Sequence, residues 1–214
     1  MSTKSPNPET GGKTRFGVMS RRGFLRGAGV TAVGTALGES ALEALAQDKP
    51  TPATPVLGPG VAKLNLDVNG QKKSVECEPR TTLAQALRDE LDLTGTKIVC
   101  DRGSCSACTV WIDGQPVCSC MTLAVDAVDR PIRTIEGLAI GEKLHPIQEA
   151  FIEHDAMQCG FCTPGMIMAC AALLEKNKQP TLAEVKTAVS GNLCRCGTYP
   201  KVFDATLDAA KKMA

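Results

Sequence analysis

Eight of the eleven cysteines stand at spacings that suit two separate sets of metal-binding thiolates. Cys100, Cys105, Cys108 and Cys120 read C-x4-C-x2-C with a fourth Cys after eleven residues. Cys159 and Cys162 form a C-x2-C pair, joined about thirty residues later by the C-x-C pair Cys194 and Cys196. An odd cysteine count excludes a fully paired disulfide framework in a monomer, and such close spacings favour a shared metal over two ordinary bridges. Two one-electron centres with little other chemistry around them point to a protein that moves electrons rather than one that rearranges bonds.

The first set follows the order of plant-type 2Fe–2S ferredoxins. Its loop, from Cys100 to Cys108, is built of small or polar residues. Such a loop can wrap closely around a cluster and aim backbone N–H groups at its sulfurs. A structural zinc site is the competing reading, but zinc modules pair two C-x2-C-like knuckles and only one stands in this half of the chain. The second set lies where helices begin. Cys162 precedes Thr163-Pro164, an N-cap and first-turn proline, so unpaired N–H groups are expected to face bound negative charge. Taken alone, this set could also hold zinc. Beside a ferredoxin-like set, a second electron-transfer centre is the stronger reading.

Other reactive side chains have plainer explanations. Cys77 continues a strand alternation and Cys170 sits in an apolar helical run, so both read as small core residues. Cys118 is two residues from Cys120, and strand geometry alone does not decide between them. His145 and His154 stand in no metal-binding pattern and are expected at the surface or at helix caps. Trp111 is expected to pack within its hairpin. There is no G-x-G-x-x-G, P-loop or G-x-S-x-G motif, so flavin, nucleotide and hydrolase chemistry are not expected here.

The elements that position these cysteines divide in two. From Ala62 to about Arg133 the pattern is β-rich: Leu64, Leu66 and Val68 alternate with polar residues, Asn69-Gly70 supplies a hairpin turn, and Val75 and Cys77 lie on the return strand. Thr82–Gln85 reads as a capping box, with Leu83, Leu87 and Leu91 at helical spacing behind it. A second hairpin is expected over Thr109–Ile112, Asp113-Gly114 and Pro116–Met121. After about Ile135 the pattern turns helical: His145–His154, a helix from Thr163 that is apolar on every side over Met166–Leu174, Thr181 to about Val189, and roughly Pro200–Lys212. Four helices and the second cysteine set make a compact bundle, and the whole is α+β.

With 214 residues, 43% hydrophobic, the chain can form one medium domain or two small ones. Residues 1–46 read as a signal peptide. Ser20-Arg21-Arg22-Gly23-Phe24-Leu25 is a twin-arginine pattern, an apolar Gly/Ala-rich stretch follows, and Ala44-Leu45-Ala46 is an A-x-A cleavage site. The stretch is too short for a membrane span. Export by this route carries folded proteins, as a cytoplasmically assembled cluster requires, so a periplasmic location is expected. Residues 47–60, with four prolines, read as an extended linker. Six of the 24 basic and three of the 23 acidic residues lie in 1–46, leaving 18 against 20 in the remainder. No basic stripe supports nucleic-acid binding.

The segments Cys100–Cys120, Gln158–Gly165 and Gly191–Tyr199 closely resemble the small iron–sulfur subunit of the xanthine oxidase/aldehyde oxidoreductase family of molybdenum hydroxylases. The resemblance covers about residues 61–212. It implies two 2Fe–2S clusters: one in a ferredoxin-like (β-grasp) domain, residues 61–135, and one in a four-helix bundle, residues 136–214. It implies further that the bundle cluster lies beside the molybdopterin of a large catalytic subunit, with Gln158 and Cys196 approaching the pterin. The ferredoxin-like cluster passes electrons outward, to an FAD subunit or to a cytochrome acceptor. The family spacing favours Cys120 over Cys118 as the fourth ligand. The twin-arginine signal most resembles that of periplasmic aldehyde oxidoreductases; an N-heterocycle or purine hydroxylase, or a stand-alone carrier, are the alternatives. Ser106 departs from the glycine that the family often has after the second cysteine.

Overall fold

The computed structural model describes residues 58–213; the expected signal peptide and most of the expected proline-rich linker lie outside the described residues. Two hairpins frame the first half. Strands β1 (Ala62–Val68) and β2 (Gln71–Cys77) pair antiparallel from Ala62↔Cys77 to Val68↔Gln71. Strands β3 (Thr109–Ile112) and β4 (Gln115–Cys118) pair likewise. Both turns are Asx-Gly with positive φ at both positions, at 54° and 76° for Asn69-Gly70 and at 51° and 72° for Asp113-Gly114. That is the twist that antiparallel strands need from a two-residue loop.

A fifth strand, β5 (Pro131–Arg133), joins the hairpins into one sheet of order β2-β1-β5-β3-β4. It runs parallel to β1 and antiparallel to β3. Three residues carry no readable alternation, so this strand is not visible in the sequence pattern; long-range bonds define it instead. Asn69 holds its end, accepting from the Thr134 N–H at 2.9 Å and donating to the Thr134 hydroxyl at 3.0 Å.

Against the sheet lies α1 (Leu83–Gln85), opened by the Thr82/Gln85 capping box. It widens into a π-type turn over Ala86–Glu90. The extra residue in that turn shifts Leu91 off the face that Leu83 and Leu87 bury, and Leu91 is only half-buried. β4 ends earlier than the sequence pattern implied. Ser119–Met121 is a single 3-10 turn, which takes Cys120 out of the strand.

The second half contributes α2 (Pro146–Glu153), α3 (Thr163–Lys176), α4 (Leu182–Ala188) and α5 (Tyr199–Met213). His145 caps α2 through Nδ1, and Thr181 and Glu184 form the capping box of α4. Helix α3 buries Met166, Met168, Cys170, Ala171 and Leu174 completely, and α2 and α5 pack beside it through Ile147, Phe151, Val202, Ala205 and Ala209. Each large apolar side chain buried this way stabilises the fold by roughly 1.5–3 kcal/mol. Among the described residues no helix is long and apolar enough to cross a membrane.

Strand β3 has both faces covered. Val110 and Ile112 belong to the core under the sheet, whereas Trp111 belongs to the helical core. The Trp111 indole donates to the Met168 carbonyl of α3 at 2.9 Å, and Arg133 lies over its ring. Trp111 therefore does not pack within its hairpin, as its sequence setting implied. It crosses to the helices.

Candidate metal centres

The first cysteine loop follows a segment, Thr94–Thr96, that is tied down at two points. Arg88 donates to the carbonyls of Thr94 and Thr96, each at 2.8 Å, and the Gly95 N–H donates to Glu136 at 2.8 Å. Beyond them Asp101, Gly103 and Ser106 take positive φ, at 51°, 71° and 52°, and the chain curls back on itself. The curl turns the N–H groups of Arg102, Ser104 and Cys105 toward the Cys100 sulfur. Led by the Arg102 N–H, and helped by the Cys105 thiol, they hold Cys100 at a pKa of about 7. Cys108 pairs with Cys120, and burial pushes the Cys108 thiol up to about 12.

The 3-10 turn explains that pairing. The Ser119 hydroxyl and N–H both donate to the Cys108 carbonyl, at 2.7 and 3.3 Å, so Cys120 is folded back beside Cys108 and buried with it against Ala84. Cys118, still in the strand, is half-buried and turns to the Ser106 hydroxyl at 3.5 Å.

In the second set, Cys159 is exposed, and Cys162, Cys194 and Cys196 are partly buried. Gly160 takes φ 83°, which lets the chain double back between Cys159 and Cys162. Cys162 itself is the N-cap of α3 and Thr163 is the first helical residue, one position earlier than the sequence reading placed them. The Thr163 N–H is already spent on the Gly160 carbonyl, and Pro164 has none, so the first turn offers fewer donors than expected. Cys162 and Cys194 pair. Burial first, then the Cys194 thiol, push Cys162 up to about 12. Burial also pushes Cys194 up, but the Thr198 hydroxyl and N–H, the Cys162 thiol and the Gly197 N–H outweigh it and bring Cys194 to about 7. Cys159 lies close enough to Cys162 for its charge to be felt there. Gln158 is exposed beside it.

Three pairs of thiols therefore meet: Cys100 with Cys105, Cys108 with Cys120, and Cys162 with Cys194. Among the described residues no three His, Cys, Asp or Glu side chains gather at one point as a single-ion site requires. Division into twos is what a two-iron cluster makes of its four thiolates. With backbone N–H groups turned toward sulfur as well, the first set fits a 2Fe–2S cluster; the second supplies one such pair, Cys162 and Cys194, with Cys159 near Cys162 and Cys196 outside any thiol pair.

The two loops also touch. The Leu193 N–H, one residue before Cys194, donates to the Cys105 carbonyl at 3.0 Å. The Ser106 carbonyl accepts from the Thr109 hydroxyl at 2.7 Å and from the buried Asn192 amide at 3.0 Å. Helix α3 starts against the same carbonyl: a Cβ on Gly165 would lie 2.3 Å from it. Tyr199 closes the arrangement, its hydroxyl accepting from the Cys194 N–H at 2.8 Å and donating to the Asn192 carbonyl at 3.1 Å. Reading the cysteine spacing alone does not find Asn192, Thr198 or Tyr199, although all three lie in the Gly191–Tyr199 segment that carries the family resemblance.

Comparison with known proteins finds 2Fe–2S binding families over both halves of the chain. Residues 66–131 match a family described as a 2Fe-2S iron-sulfur cluster binding domain, and residues 134–207 match a 2Fe-2S binding domain family. The chain is 49% identical over 147 residues to the nicotine 6-hydroxylase small subunit of Paenarthrobacter nicotinovorans, covering 69% of this chain and 88% of that protein. It is 38% identical over 207 residues to the aldehyde oxidoreductase iron-sulfur-binding subunit PaoA of Escherichia coli O157:H7, covering 90% of this chain and 88% of that one. Among solved structures, quinoline 2-oxidoreductase from Pseudomonas putida 86 superposes with a TM-score of 0.69 at 46% identity, over 71% of this chain and 94% of the matched one.

Proposed function

From the premise that this chain belongs to the iron–sulfur subunits of the molybdenum hydroxylases, we propose that it is the electron-relay subunit of a periplasmic aldehyde oxidoreductase. In this reading the sheet half is a ferredoxin-like β-grasp domain and α2–α5 form the second, four-helix domain. Each 2Fe–2S cluster, when bound, accepts one electron and gives it up again. The residues of this chain hold, space and tune those groups. They supply no acid, base or nucleophile, and so the chain is a non-catalytic subunit of its oxidoreductase.

Cys159, Cys162, Cys194 and Cys196 form the inner set in this proposal. They face the molybdopterin of a large partner subunit, with Gln158 and Cys196 against the pterin. The exposure of Gln158 and Cys159, flanked by Phe161 and Leu193 at 58% and 56% exposed, supports a docking face there. Cys100, Cys105, Cys108 and Cys120 form the outer set, which passes electrons to an FAD subunit or a cytochrome. Exposed Val99 and Met121 beside that loop are consistent with a second docking face.

The observation that carries the aldehyde reading is the reach of the match to PaoA, 90% of this chain against 69% for the nicotine 6-hydroxylase subunit. Higher identity to the latter, and the likeness to quinoline 2-oxidoreductase, favour an N-heterocycle hydroxylase as the second reading. Purified complex should hold four iron atoms per copy of this chain, show two 2Fe–2S EPR signals, bring down a large molybdenum subunit and oxidise aldehydes. Hydroxylation of an N-heterocycle without aldehyde oxidation would transfer the assignment to the second reading, and a zinc-bearing chain would refute both. Export rests on Arg21 and Arg22: with both changed to Lys, the chain should be retained in the cytoplasm, and undiminished periplasmic recovery would sink the localisation.

A further inference from the structure

Three of the buried hydroxyls among the described residues donate to backbone carbonyls. Thr109 donates to the Ser106 carbonyl, Ser119 to that of Cys108 and Thr206 to that of Val202. Thr198 differs. It is 4% exposed, and its Oγ1 lies 3.3 Å from the Cys194 sulfur, its one hydrogen-bond partner among the described residues. A metal-bound thiolate has no proton to give, so once Cys194 is a ligand the direction is settled: the Thr198 O–H donates and the sulfur accepts.

We propose that Thr198 is a positioning residue of the inner centre, whose hydroxyl hydrogen-bonds the Cys194 sulfur and thereby raises that centre's reduction potential above the value its ligands alone would set. This rests on the reading of Cys194 as a cluster ligand. Gaining an electron places more negative charge on the ligand sulfurs. A donor aimed at sulfur therefore favours the reduced state more than the oxidised one.

The neighbouring residue makes the donor effective. Tyr199 takes the Cys194 N–H and returns its own hydrogen to the Asn192 carbonyl, so both ends of that hydroxyl are engaged and the Cys194 backbone is fixed. Thr198 and Tyr199 thus hold Cys194 from two sides, one at its sulfur and one at its amide.

The test is a potentiometric titration of the purified complex, with the two EPR signals followed separately and iron counted in every sample. Thr198→Val keeps the shape and removes the hydroxyl; Thr198→Ala removes it with less bulk; Thr198→Ser restores it. Val and Ala should each move the midpoint of one signal to lower potential and leave the other in place, and Ser should return it toward wild type. Unmoved midpoints in iron-replete Val and Ala variants overturn the proposal, as does an equal shift of both signals. Loss of iron from one site in both hydroxyl-free variants, with Ser intact, overturns it too, because the hydroxyl then serves assembly rather than potential. A wild-type complex without two 2Fe–2S signals defeats the functional reading instead, and the two failures are told apart by that control.

Discussion

Cys100 and Cys194, one in each set, lose a proton more readily than an ordinary thiol. Each is held at about 7, Cys100 chiefly by the Arg102 N–H, and Cys194 by Thr198 and its neighbours against the opposing effect of burial. Cys108, Cys162 and the core residue Cys170 are pushed to about 12, in each case first by burial. A lowered thiol pKa means more thiolate at a given pH, and thiolate is the reactive form. At pH 7 Cys100 and Cys194 are about half ionised, whereas an ordinary free cysteine is ionised by only a few per cent. In cluster-free protein, a brief iodoacetamide pulse at pH 7 should label Cys100 and Cys194 first, and labelling of both should rise steeply between pH 6 and pH 8. Peptide mass spectrometry reads this directly; equal labelling of Cys162 and Cys194 at pH 7 would contradict it. The two candidate sets of four were legible in spacing, with the family resemblance needed to prefer Cys120 over Cys118. That Cys100 and Cys194 are the thiols drawn down was not, because N–H direction and burial belong to the folded loop.

At the scale of elements, local chemistry was readable wherever a few adjacent residues decide the geometry. Asn69-Gly70 and Asp113-Gly114 make the hairpins, and Thr82/Gln85 and Thr181/Glu184 make capping boxes. Elements that depend on distant partners were not readable. β5 exists because Asn69 and β3 hold it, and α3 takes Cys162 rather than Thr163 as its N-cap, its first turn packed on the Ser106 carbonyl. Two substitutions separate these classes. Thr181→Ala removes only a cap on an exposed turn and should lower stability by about 1 kcal/mol. Gly165→Ala forces a Cβ to within 2.3 Å of the Ser106 carbonyl oxygen, so α3 or the first cysteine loop must move. It should cost about 1–3 kcal/mol and also disturb the outer EPR signal. Denaturant unfolding of the iron-replete chain measures both. A Gly165→Ala protein as stable as wild type, with unchanged spectra, would show that the contact yields freely.

For the whole molecule, the joint between sheet and helices carries as much weight as either core. Trp111 leaves the sheet core to its neighbours Val110 and Ile112 and fills the helical one, with its indole on Met168. Trp111→Phe keeps most of the apolar contact and removes the donor, which should cost about 1–3 kcal/mol. Because the lost bond spans both halves, thermal unfolding should broaden or split as they begin to melt separately; a single sharp transition at the wild-type temperature would argue against that role. The α+β class and the two cysteine sets could be read from the chain. This seam could not, since nothing adjacent to Trp111 announces the helix it meets.

A strand with two buried faces is also a statement about what can be exchanged. A fragment ending at Arg133 would keep β3 but leave Trp111 bare to water, and a fragment starting at Thr134 would lose the indole that fills its interior. Neither half is a finished part. Grafting one of them onto a foreign redox scaffold calls for a new cover for β3 or a new filling for the helices, whereas the pair moves as a single cassette.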